Sequence, residues 1–395
     1  MNNNLDLLSF KCKLIPLTPI HIGSGNEIEP YDYVIKNGVF YRINSMDIFE
    51  NLNDKEKELF TSKIEEGLIS FRTYIRDIYK EDFGYIYKSD VDKNFENKYN
   101  QKLNGAKSRN ENSEFVIKEF MGGLRGKYIA GSSLKGSIRG AYIYDKLPNS
   151  INYKLERNTR IKTMPPVLYD TYSKPVTSKK IKNIMDEEFN KQAFEMTSLS
   201  PFIDPFKRLT ITDTAEYSDV SKIVECKRVS INKETKEFKK GSSDYLEVLK
   251  SKYADDVENS LEFNISIRYL GKEGISLMKN YYDGSKNNRR EFGEILTFDQ
   301  MDLIESINSK MKEVLEEEIK FYNRTTNNEI KDLYEELKRE FDSLEENEAI
   351  IRLGKGSGFA TFTHLLKSTN KNIRSSSRVL AEEKYPMGWA KIVIE

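Results

Sequence analysis

The chain has 395 residues, 38% of them hydrophobic and 32% charged, with 63 Lys and Arg set against 63 Asp and Glu. That length suffices for about two or three domains with a real core, and the mix of apolar and charged residues excludes a disordered polyelectrolyte. No apolar run approaches the roughly 18–20 residues of a membrane span, and the start MNNNLDLLSFKCKL lacks the basic, apolar and small-residue order of a secretion signal, so a cytoplasmic protein is expected.

Cys12 and Cys226 lie far apart without CxxC spacing, which argues against a disulfide framework or a cysteine zinc site. His21 and His364 are the two histidines, too few for a structural zinc; carboxylate-bound magnesium stays open, and no metal or cofactor is expected. The zero net charge hides an asymmetry: residues 101–182 hold 17 Lys and Arg against 6 Asp and Glu, whereas 299–348 hold 7 against 16. One region suits a polyanion and the other repels it, although charge runs are also ordinary solvated faces.

In chain order, Leu8, Phe10, Cys12 and Leu14 alternate with polar residues and predict a first strand over Leu7 to Leu17. Asn37-Gly38 between two β-branched and aromatic runs predicts a hairpin. Leu59, Phe60, Ile64, Leu68, Phe71, Ile75 and Ile78 predict an amphipathic helix or helix pair. The Asn- and Lys-rich stretch 88–112 reads as a long loop, and EFVIKEF as a strand. Leu134, Ile138, Ala141 and Tyr142 mark one face of a helix, with Ser132 or Ser133 as its N-cap. Residues 157–182 read as basic and irregular, and DEEFNKQAFEMTSL as a short helix. RLTITD and LEFNISIRYL read as strands, with 215–250 between them as a protruding hairpin around NKETKEFKKGSSD. A charged helical hairpin follows over 299–346, then a glycine turn opening a helix, and a last strand in GWAKIVI.

Three glycine turns carry the chemistry: HIGSG at 21–25, AGSSLKG at 130–136 and LGKGSGF at 353–359. The middle one has the glycine spacing of a phosphate-binding loop, but Ser137 and Ile138 stand where its Lys and Ser/Thr belong, so a nucleotidase reading fails. Glycine lets backbone NH groups approach a phosphate, and a helix N-terminus adds partial positive charge. Lys135 and Arg139, four residues apart, share one side of the helix. Any one such turn is also plain backbone punctuation.

Taken together, TPIHIGSG, IAGSSLKGSIRGA, DPFKRLTITD, RLGKGSGF and YPMGW, in that order over nearly the whole chain, resemble the RAMP superfamily and within it the fifth-subunit family of the Csm effector complex of type III-A CRISPR-Cas systems. The resemblance implies an α+β fold: a ferredoxin-like, RRM-type core with antiparallel sheets, a protruding thumb-like hairpin and a helical insertion. The corresponding division is 1–213 for a core with helical and basic loop insertions, 214–258 for the projection, and 259–395 for a C-terminal part with sheet strands, the helical hairpin 299–346 and the loop 353–359. It implies a non-catalytic subunit that caps the backbone filament at the 3′ end of the guide RNA and supports guide maturation and antiviral defence. The implied partners are guide and target RNA, the repeating backbone subunit, the small helical subunit and trimming nucleases of the host. By position, His21, Gly23, Ser24, Gly25, Ser132, Ser133, Lys135, Arg139, Lys355 and Ser357 would line the RNA channel, with Arg208 at the base of the projection and Tyr128 and Phe359 as stacking candidates.

Elementary chemistry agrees with that assignment, because a guide held for base pairing must be gripped by its backbone. Two alternatives stay open. One is a metal-independent endoribonuclease with His21 as general acid or base and Lys135 stabilising the phosphorane; the other is a structural scaffold whose basic loops pack on acidic proteins. For a metal-dependent nuclease, Asp213 and Asp219 are the candidates by position.

Overall fold

The computed structural model describes residues 7–105, 115–147, 204–269, 298–367 and 376–395, together with β7 (Leu155–Glu156), β8 (Val167–Tyr169) and β9 (Pro175–Val176). The helical candidate at 186–199 lies outside the described residues, as does most of the basic stretch 157–182.

The chain opens with β1 (Leu7–Pro16) and β2 (Gly23–Ile28), then the hairpin β3 (Tyr33–Lys36) and β4 (Val39–Arg42). Asn37 and Gly38 both have positive φ, 55° and 78°, the conformation that a two-residue hairpin with the native strand twist demands. Helices α1 (Ser45–Glu50), α2 (Asp54–Glu66) and α3 (Leu68–Ile78) follow. Asn53 and Glu56 form a capping box at the start of α2, and Gly67 at φ 116° separates the predicted helix into two. Phe60, Phe71, Ile75 and Tyr79 close this helical insertion onto Val34 and Ile43 of the hairpin.

Of the stretch 88–112 expected as a loop, residues 106–112 lie outside the described residues and the rest is regular structure. The described part supplies β5 (Tyr87–Val91) and α4 (Lys93–Gly105), because Phe95, Tyr99 and Leu103 recur every four residues and bury one stripe against Ile117 and Ile223. Next come β6 (Ile117–Phe120), α5 (Gly131–Lys146), β10 (Leu209–Ile211), β11 (Ser221–Ile231), β12 (Phe238–Leu249) and β13 (Leu261–Arg268). The charged hairpin α6 (Gln300–Tyr322) and α7 (Asn328–Asp342) precedes β14 (Glu348–Arg352), β15 (Ser377–Ala381), β16 (Tyr385–Pro386) and β17 (Trp389–Ile394). The third glycine turn opens a short helix of a single turn, Phe359–Phe362, followed by a 3-10 turn at Leu365–Lys367.

One sheet has the order β10-β13-β1-β17-β14, with every pair antiparallel. Its strands come from both ends of the chain, so 1–213 and 259–395 share one sheet rather than forming separate units. Leu14, Leu261, Phe263, Ile265 and Ile392 pack beneath α5 and α6 to make the main core. The second sheet runs β2-β6-β12-β11-β5-β4-β3, with β15 and β16 branching from β11; it mixes parallel and antiparallel pairs. The segment 214–258, expected as a thumb-like hairpin, contains the hairpin β11–β12, and the halves of the two strands far from its turn are built into this sheet, Lys222 and Ile223 against β5 and Tyr245 and Leu246 against β6. Ile223, Val224, Cys226, Leu246 and Val248 are buried, whereas residues 239–243, next to the polar tip at 232–237, are exposed and among the described strands pair with β11 alone. Even that tip is tethered, since Thr326 N donates to the Lys236 carbonyl at 3.1 Å.

Candidate nucleic-acid interface

Three glycine turns that are far apart in sequence are neighbours in space. The main-chain NH of Lys355 donates to the His21 carbonyl at 2.8 Å, joining the third turn to the first. Gly354 makes this possible: at φ 72° it passes so close that an added Cβ would overlap the His21 carbonyl oxygen. Ser137 Oγ, from α5, donates to the Arg352 carbonyl at 3.2 Å and brings the second turn alongside. Main-chain bonds from Met121 N to Ile22 O, 2.9 Å, and from Tyr128 N to Met121 O, 3.2 Å, connect the first turn to the segment that enters α5.

At the start of α5 the cap differs from the expected one. Ala130 is the N-cap and lacks a capping side chain; instead Asp213, from the end of the β10 segment, accepts from Gly131 N at 2.7 Å. Asp213, expected as a candidate metal ligand, thus serves the helix terminus, where a carboxylate complements the dipole. Gly131 lies against the carbonyls of Ile211 and Thr212, leaving no room for a Cβ. With no capping duty, Ser132 is exposed and Ser133 half-buried, and both hydroxyls are left to the surface.

The cations lie around these turns and are held by oxygen acceptors. Lys135 Nζ donates to the Leu209 carbonyl at 2.6 Å, and burial lowers its pKa. Arg139 pairs with Asp204 at 2.8 Å and lies over the Phe206 ring. Lys355 and Lys118 share the two oxygens of Asp244, at 3.0 and 2.9 Å. Burial pushes the Asp244 carboxyl up, but the hydrogen bonds from both lysines outweigh it and hold its pKa low. Burial and the neighbouring Lys118 lower the Lys355 pKa. Arg208 is half-buried beside Tyr142; its Nη2 finds no hydrogen-bond partner among the described residues, and burial lowers its pKa.

Two expected contact side chains lie inside the fold. The His21 ring is 3% exposed; Nδ1 is 2.7 Å from the Glu247 carbonyl and therefore carries the proton, while Nε2 faces Gly23. Burial above all, then the positive Lys355 and Lys118, lower its pKa to about 4 against the pull of that hydrogen bond, so the ring is neutral at pH 7. Ser357 is fully buried and donates to the Gly354 carbonyl at 2.6 Å, folding the third turn onto itself. Both residues shape the turns from within. Gly23 and Gly25 are exposed, and Ser24 is half-buried against Glu119. Phe359 is exposed and Tyr128 half-buried.

Three features were missed in the sequence. The first is the hairpin MGGLRGK at 121–127, whose tip Leu124 and Arg125 are exposed while Glu216 accepts from Arg125 N at 2.6 Å; its three glycines within five residues were the available signal. The second is Glu247, wholly buried, which accepts from Lys127 Nζ at 2.8 Å, Phe120 N at 3.0 Å and Ser221 Oγ at 3.0 Å behind the first turn. The third is a buried ion cluster in which Glu318 of α6 meets Arg352 at 3.4 Å and Arg378 at 2.6 Å. Arg352 also donates to the Met387 carbonyl at 3.0 Å and lies over Trp389, so this cluster anchors the entry to the third turn. Nothing local in the sequence marks the last two.

No protein-family model matches the chain. Over 165 residues it is 30% identical to a protein of Methanocaldococcus jannaschii described as CRISPR system Cms protein Csm5, covering 39% of this chain and 35% of that protein. A protein of Streptococcus thermophilus with the same description is 30% identical over 139 residues, 34% of this chain and 38% of its own. The chain thus spans little more than a third of the length of the curated relatives it matches. The fold likeness is longer. A chain of a Csm–crRNA–target RNA ternary complex of a type III-A CRISPR-Cas system superposes with a TM-score of 0.61 at 17% identity, covering 98% of this chain and 100% of that one. The crystal structure of T. onnurineus Csm5 superposes with a TM-score of 0.58 at 19% identity, covering 96% and 99%. The mixed α+β architecture with its two curved sheets is shared with these proteins.

Proposed function

We propose, for a chain that belongs with the Csm5 proteins by sequence and by fold, that it is an RNA-binding subunit of a type III-A effector complex, working in the cytoplasm. In this reading it caps the backbone filament at the 3′ end of the guide without catalysing a reaction. The all-antiparallel sheet with α5 and α6 on one face would be the ferredoxin-like core. Its neighbours would be the repeating backbone subunit and the small helical subunit, with target RNA pairing to the guide and trimming nucleases acting nearby.

The observation that carries the reading is the joining of the three turns. Gly23, Gly25 and Ser132 are exposed on turns that hydrogen bonds tie together, and nearby cations rest on the Leu209 carbonyl, in the case of Lys135, and on Asp244, in the case of Lys118 and Lys355. Such a surface grips a sugar-phosphate chain and leaves base edges free. The lysines rest on a carbonyl or on one shared carboxylate, partners that an incoming phosphate can replace.

The test is RNA retention by the assembled complex as a function of salt. Lys135→Ala with Lys355→Ala is expected to weaken retention and to flatten the logarithmic salt slope by roughly 0.7 for each single-strand phosphate that is no longer neutralised. An unchanged slope with intact assembly refutes the assignment.

A further inference from the structure

A second cleft adjoins the joined turns. It has a volume of about 810 Å³ and lies between α4 and the strands β6 and β12; Lys98, Gln101, Lys102, Lys118, Phe115 and Tyr245 line it. This volume is within the roughly 300–1,000 Å³ range of pockets that enclose a small molecule. Lys98, Gln101 and Lys102 sit at i, i+3 and i+4 of α4 and therefore share one face. Lys118 stands on the opposite wall and reaches Asp244, whose other oxygen binds Lys355 of the third turn. The cleft and the groove thus meet at one carboxylate. Glu27 and Asp244 are the cleft's acidic lining; Asp244 is shared between two lysines, and Lys98 is anchored at 2.6 Å by the buried Glu225. Aromatic surface lies at the floor, where Tyr245 stacks on Phe95 with ring centroids 4.6 Å apart and meets Phe115 edge to face.

Lysines on facing walls over an aromatic floor suit a ligand that carries both an anion and a flat ring. We propose that this cleft is a nucleotide subsite that takes up an unpaired nucleotide of the bound RNA, next to the stretch held by the three turns. The base packs on the Tyr245 and Phe115 floor, and the flanking phosphates meet Lys118 on one side and Lys98 and Lys102 on the other. This rests on the RNA-binding reading above and adds where the strand goes once it passes Lys355.

Binding of oligouridylates of increasing length to the full chain, read by fluorescence anisotropy across a salt series, tests it. Gln101 is exposed, so Gln101→Glu and Gln101→Lys alter the charge of the cleft without removing a packed side chain. With oligomers short enough to occupy only the groove, both variants should match the parent. Beyond a threshold length, Gln101→Glu should weaken binding on the order of threefold and Gln101→Lys should tighten it by a similar factor. Lys98→Ala with Lys102→Ala should flatten the salt slope for the longer oligomers alone. If the cleft variants equal the parent at every length while Lys135→Ala with Lys355→Ala still weakens binding, the subsite is wrong and the groove stands. If the unaltered chain binds no oligomer, both fall.

Discussion

The glycine-turn surface and the α6–α7 hairpin are built on opposite plans. In the hairpin, Leu303, Ile307, Met311 and Val314 of α6 and Ile330, Tyr334 and Leu337 of α7 form buried stripes at helical spacing, and Glu305, Glu313, Glu316, Glu335 and Glu336 turn outward. Asp299 with Asp302, and Asn327, cap the two starts from within the same segments. Each helix is specified by residues within one or two turns of each other. The glycine-turn surface is specified at long range: Asp213 caps α5, the His21 carbonyl holds Lys355, and Glu247 anchors His21 across 226 positions of sequence. A local element tolerates surface change, whereas a surface assembled from distant pieces fails when one tie is cut. The two regions meet in a buried ion pair, where Glu318 on the buried side of α6 binds Arg352 at the base of the third turn.

That joint is where the contrast breaks most sharply. Glu318→Ala leaves Arg352 and Arg378 buried without their shared carboxylate, and breaking a buried pair in this way costs about 3–5 kcal/mol; chemical denaturation should show a loss of that order, with RNA binding falling as well. Gly354→Ala comes next. Its positive φ and the overlap with the His21 carbonyl predict a loss of roughly 1–3 kcal/mol, together with weaker RNA retention, because the first and third turns are forced apart. A matching Ala at the exposed hairpin position Glu346 should do neither.

Acid and base titrations sharpen the comparison further. Lys310 of α6 is buried with Nζ on the Gly140 carbonyl, and burial lowers its pKa to about 7. Between pH 7 and the ordinary lysine value the unfolded chain binds the extra proton, so this residue makes stability rise with pH across that window, at up to about 1.4 kcal/mol per pH unit. Lys310→Met should remove that slope in melts run from pH 6 to 10. His21 acts at lower pH: with its pKa lowered to about 4, it is neutral in the fold while the unfolded ring protonates near 6.5. Stability is therefore lost as pH falls from about 6.5 towards 4, and His364, lowered by burial to about 3, adds in the same direction. The smallest effect belongs to the acidic face. Glu346→Gln should change stability by less than about 0.5 kcal/mol and leave the RNA salt slope unaltered; a steeper slope would mean that this face repels the bound strand directly.

Much of the secondary structure could be read without coordinates where the pattern is local. The Asn37-Gly38 hairpin, the alternation of β13, and the α2–α3 and α6–α7 pairs match their expected positions. Polar composition masked a buried stripe in α4, and the β11–β12 hairpin was legible while its pairing with β5 and β6 was not. Ser132 and Ser133 have the chemistry of an N-cap, but the cap comes from Asp213 in another segment. Among the candidate site residues, the turns themselves were visible as glycine clusters, while the burial of His21 and Ser357 and the existence of the α4 cleft were not.

The sequence by itself determined which residues lack a Cβ, where charge of each sign accumulates, and which short segments have helical or alternating apolar spacing, because those properties depend on neighbours within a few positions. Only the tertiary structure decided that three distant turns are tied together by hydrogen bonds, that the His21 ring is sequestered, and that Asp244 links Lys355 of the third turn to Lys118 in the cleft. Those outcomes depend on carbonyls and carboxylates delivered from remote segments, and no spacing along the chain encodes which acceptor a given donor will meet.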